Sequence, residues 1–240
     1  MNPSTYWKDS RAPRHSLLLA LPLVIGYEGL AVALAEPGGG IRNGADVLLR
    51  ALFTAVAGPY GHVAFWVCLI GAGLWLVGRD LRRGGVRAGV LALMLLESAA
   101  LALVVGALVA ALTATLLRPL ALAAGLQAAQ LDWPTRLMVS LGAGLYEELV
   151  FRVLLVSLLA FVVSRVLGLG PLAAGAAAAL GGAFIFSAFH YVGPYADRLT
   201  LYSFTFRFLA GLFFSALYLL RGFGITAWTH ALYDVFLLVI

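Results

Sequence analysis

The sequence predicts an all-α fold: a polytopic transmembrane bundle of about seven spans, with one further short helix at the interface or re-entrant. Three observations carry this prediction. Hydrophobic residues make up 62% of the 240 and charged residues only 11%, where soluble domains carry about 25%. The apolar residues gather into long runs, and most Arg and Lys fall in the gaps between them. A net charge of +5 and a pI near 9.7 would suggest nucleic acid in a soluble chain, but cations so few and so placed are better explained by positive-inside topology. The partners expected are therefore membrane lipid and a protein or peptide substrate, with no nucleic acid. The single cysteine, Cys68, excludes an intrachain disulfide and a Cys-based zinc site.

Taken in order, residues 1–15 are polar and lead into a first span from Ser16 to Ala35, too long for a signal-peptide core and interrupted by Glu28. Glu36 to Gly40 is a loop. Asp46 to Ala57 is too short to cross and is assigned the interfacial or re-entrant position. Tyr60 to Val77 is the second span. The basic segment after it, with Arg79, Arg82, Arg83 and Arg87 against Asp80, is expected to be cytoplasmic. Gly89 to Leu117, at 29 residues, exceeds the length needed and must tilt or project. A loop with Arg118-Pro119 and Asp132-Trp133-Pro134 precedes the last four spans, Leu137 to Ser164, Pro171 to His190, Phe204 to Leu220 and Ile225 to Ile240. Leu172 to Ala183 is nearly all Ala, Gly and Leu, which lets neighbouring backbones approach and predicts a central helix. The chain divides into an N-terminal helical region, 1–136, and a core carrying the chemistry, 137–240.

The conspicuous feature of that core is Tyr146-Glu147-Glu148-Leu149-Val150-Phe151-Arg152, three charges in an otherwise apolar run. A charge facing lipid at a helix centre costs about 2.5 to 3.5 kcal/mol, so these groups are expected to face the bundle and one another. With α-helical spacing, Glu148 and Arg152 share a face and form an ion pair, while Glu147 is rotated by about 100° and is left free for chemistry. Glu28 and Glu97, with no motif around them, read as structural acids, and His15 and His62 as residues at span edges.

Two further clusters have a spacing of four, Phe186 with His190 and His230 with Asp234. Phe186 lies one turn from His190, and Asp234 is placed to fix the tautomer of His230. The ordered series Glu-Glu-x-x-x-Arg, Phe-x-x-x-His and His-x-x-x-Asp resembles that of the CAAX protease and bacteriocin-processing (Abi) family of intramembrane peptidases, over about Leu137 to Val239. The resemblance implies Glu147 as the catalytic glutamate with Glu148 and Arg152 as companions, and His190 as a partner in activating water. His230 and Asp234 would stabilise the oxyanion, with Phe186 supporting. The composition, rich in Ala, Gly and Arg, hints at a GC-rich bacterial gene, and the expected location of such a multi-pass protein is the bacterial cytoplasmic membrane.

Alternatives stay open at this point. Asp234 stands where many members carry Asn, and it can serve protonated, as an orienter of His230, or as a metal ligand. In a zinc-dependent version Glu147, His190, His230 and Asp234 would be the ligands, although no His-Glu-x-x-His is present. A non-catalytic transporter, immunity or scaffold protein could use the same buried charges as a structural or relay network. Simple alternation of spans also sets His190 and His230 at opposite faces, so a shared site needs a shifted or broken span near Gly193-Pro194 or Gly222-Phe223-Gly224.

Overall fold

The computed structural model describes residues 2–35, 40–117, 131–193 and 196–238, and these form helices and connections without a strand among the described residues. The predicted loop residues Glu36 to Gly39, Arg118-Pro119 and Pro194 lie outside them. The helices are α1 (Pro3–Ser10), α2 (Pro13–Ala33), α3 (Gly44–Ala57), α4 (Gly61–Leu81), α5 (Ala88–Leu116), α6 (Trp133–Leu167), α7 (Pro171–Phe189), α8 (Leu201–Arg221) and α9 (Phe223–Leu238).

Several starts follow directly from local chemistry. Asn2, Asn43, Asp132 and Thr200 accept a backbone N–H from the first turn they cap, and prolines stand at the first turn of α1, α2, α6 and α7, where a missing N–H is harmless. Gly222, at φ +80°, ends α8 and turns the chain straight into α9, a conformation that disfavours any side chain.

Among the described residues, six helical segments are long and apolar enough to cross a membrane: α2, α3 together with α4, α5, α6, α7 and α8. The last predicted span corresponds to α9, of which the 16 residues Phe223–Leu238 are described. Ile225, Ala227, His230, Ala231 and Tyr233 on it are all buried, because α9 packs between α5 and α6 rather than facing lipid. The predicted short helix is α3, which folds back on α4 through one 3-10 turn and also packs on α6. Large apolar residues such as Ile25, Val67, Leu74, Leu103, Leu158 and Phe161 remain exposed along the outer faces, as lipid contact requires.

Between helices in lipid there is little hydrophobic drive, and association rests on close packing. α6 and α9 approach closely: a Cβ on Gly144 would lie 2.3 Å from the Ala227 carbonyl oxygen. Around it, Leu23, Tyr27, Phe65, Met138, Leu145, Tyr146, Phe151, Phe186, Ala227 and Ala231 form the main core, drawn from α2, α4, α6, α7 and α9. The small-residue helix α7 is the most buried of the six segments, in keeping with its composition.

Candidate active site

The predicted charged segment lies in the middle of α6, where residues Ala143–Val156 are wound as a π-helix. Such i→i+5 winding is rare and concentrates at functional positions. It also corrects the expectation that the two glutamates diverge. Wider turns reduce the angle between successive side chains, and both acids converge on His230: Glu148 Oε1 is 2.6 Å from its Nδ1 and Glu147 Oε2 is 4.0 Å from its Nε2.

Glu148 and Arg152 are within ion-pair distance, with Nη1 3.2 Å from Oε1. That oxygen is shared, since His230 donates its Nδ1–H to it. The tautomer of His230 is therefore fixed by Glu148 across the helix interface and not, as the spacing of four suggested, by Asp234. The Asp234 carboxylate instead stands beside the other ring nitrogen, its Oδ2 3.7 Å from Nε2. Arg152 is fully buried and lies over two aromatic faces, 4.3 Å from the centroid of Phe186 and 5.6 Å from that of Phe214, an arrangement that supplies part of the stabilisation a buried cation needs.

His190 and His230 meet at one site despite their predicted separation. The Phe186 ring lies edge-on to both, with centroids 4.9 Å from His190 and 6.2 Å from His230, and Phe214 stacks on His230 at 4.2 Å. The reason is the early start of α9. With Phe223 following directly on the Gly222 turn, His230 is carried about two turns into the bundle and Asp234 one turn further. His190 caps α7, and the Phe186 carbonyl accepts its Nδ1–H at 2.9 Å, which leaves Nε2 available. Arg207 of α8, paired with Asp197 and Ser203, adds a cation whose field reaches both His190 and Asp234.

One participant was not read from the sequence. Asn43, at the N-cap of α3, donates its Nδ2–H to Glu147 Oε1 at 2.8 Å. An Asn-Gly before an apolar run signals a helix cap, but nothing local identifies a partner 104 residues away. Among the described residues no group of three or more His, Cys, Asp or Glu is arranged to hold a metal ion.

The family described as type II CAAX prenyl endopeptidase Rce1-like matches residues 128–236, a little under half of the chain. This bears out the resemblance read from the three motifs, all of which fall inside the match, and supports a protease of the intramembrane CAAX type. With the six apolar segments it makes the chain an integral, multi-pass membrane protein. No curated protein and no solved structure matches the chain.

Proposed function

We propose that this protein is an intramembrane endopeptidase in which Glu147 activates a water for attack on a peptide bond of a membrane-associated protein or peptide, the CAAX type of substrate being the first to test. The observation that carries the reading is a difference between adjacent acids. The Glu148 side chain is wholly buried and committed to Arg152 and His230, whereas Glu147 keeps 12% of its side-chain surface and engages a hydrogen bond through Oε1 alone.

Oε2 of Glu147 takes a proton from water as the water oxygen bonds to the carbonyl carbon, with the free Nε2 of His190 helping to orient that water. The carbonyl electrons move to its oxygen, and His230, as an imidazolium, offers Nε2–H to the resulting oxyanion. Collapse of the tetrahedral intermediate breaks the C–N bond, and Glu147 returns its proton to the leaving amine. Asp234, next to the same Nε2, favours His230 as the cationic donor or itself donates to the oxyanion in its protonated form. The reaction needs no metal and no covalent intermediate. The host membrane suggested by composition is the bacterial cytoplasmic membrane.

Glu147→Gln is close in shape and cannot take the proton. It is expected to keep the fold, judged by detergent melting, and to reduce cleavage of a fluorescence-quenched CAAX peptide below detection. Cleavage at the wild-type rate by this variant would end the proposal. A wild-type enzyme silenced by a strong chelator and restored by zinc would instead assign Glu147, His190, His230 and Asp234 to a metal.

A further inference from the structure

We infer that Asn43 is a positioning residue for Glu147, so that the N-terminal helices complete a site whose recognisable motifs all lie in residues 147–234; the inference rests on Glu147 being the base. Asn43 is 4% exposed, and its amide orientation is dictated on every side. Its Oδ1 accepts the Ala45 N–H at 2.9 Å, so Nδ2 must be the group that meets Glu147. Its own backbone N–H donates to the Tyr27 hydroxyl at 3.0 Å, and that hydroxyl donates to Asp46 at 2.9 Å.

Asp46 in turn is held by Arg42 and Arg50, which also grip Glu28, and Glu28 accepts the hydroxyl of Tyr146, the residue immediately before Glu147. The chain of contacts therefore leaves the backbone at Tyr146 and returns to the Glu147 carboxylate through Asn43. A carboxylate fixed at one oxygen by a donor that cannot rotate presents its second oxygen in a single direction. For a base that must take a proton in line with the attack, this alignment bears on kcat and not on substrate binding.

The role can be separated from helix capping by choice of side chain. Asn43→Ser keeps a good N-cap acceptor but is too short to span to Glu147, and Asn43→Asp keeps the cap while replacing the N–H donor with an acceptor. Assayed as the full chain in detergent on the quenched CAAX peptide, the Ser variant is expected to melt near wild type, to keep its KM, and to lose kcat on the order of tenfold to a hundredfold. The Asp variant is expected to lose at least as much. Wild-type kcat in the Ser variant reduces Asn43 to a cap and overturns the inference, as does a Ser variant whose loss is in KM or in folding. Glu147→Gln is measured alongside. If it is inactive while Asn43→Ser is fully active, positioning alone fails; if Glu147→Gln is itself active, the base assignment fails first.

Discussion

Two charge clusters meet α6, one partly buried and one fully buried, and they are built in opposite ways. In the cluster at α2 and α3, every carboxylate oxygen of Glu28 and Asp46 accepts from an arginine, and Tyr27 and Tyr146 add further donors. In the cluster around His230, Glu148 Oε2 and all three guanidinium nitrogens of Arg152 have no hydrogen bond, although Arg152 lies within ion-pair distance of Glu148. Buried polar groups in native proteins are usually satisfied, and exceptions gather where function has overridden stability. The first cluster is a brace, redundant and closed. The second holds its charges by proximity and aromatic faces, which is the condition of groups that must respond to a reacting molecule.

That contrast can be broken by removing one cation from each side. Arg152→Ala leaves Glu148 buried with only His230 as a counter-charge and is expected to destabilise the protein by about 3 to 5 kcal/mol, read as a lowered midpoint of unfolding in detergent. A variant that melts like wild type but does not turn over would move Arg152 from support into the chemistry. Arg50→Ala should cost less, about 1 to 2 kcal/mol, because Arg42 and Tyr27 still hold Asp46 and Arg42 still holds Glu28. If Arg50 proves as costly as Arg152, the brace is not redundant and the comparison fails.

The smallest effect is expected at Asp234. Asn is nearly isosteric and can donate to an oxyanion, so Asp234→Asn should keep activity within about tenfold of wild type and be insensitive to chelators. A dead Asn variant beside a chelator-sensitive wild type would replace the metal-free mechanism with a zinc-dependent one.

The class of fold and the segment bearing the acids were legible because both depend on local quantities, apolar run length and charge within such a run. The distribution of roles across the segment was less so. The π winding of Ala143–Val156 has no signature in apolar periodicity, and within that segment Glu148 reaches Nδ1 of His230 across the helix interface. The depth of His230 escaped simple alternation because α9 starts directly at the Gly222 turn and packs between α5 and α6. Asn43, Arg42 and Arg50 were invisible for a different reason: their partners Glu147 on α6 and Glu28 on α2 are set by tertiary packing, to which residues 42–50 contribute only capping and charge.

The long sequence separations at the site also govern when it can exist. Asn43 meets Glu147 across 104 residues, and Glu148 meets His230 across 82. A nascent polypeptide enters the membrane from its N-terminus, so α3 and its brace are synthesised first and wait for α6, and the pair of acids then waits for α9. Until that final hairpin turns at Gly222 and docks against Gly144, no partly made chain holds the assembled constellation. Under the proposed function, a chain that stalls before α9 would hold the brace of α2 and α3 but not the pairing of Glu148 with His230.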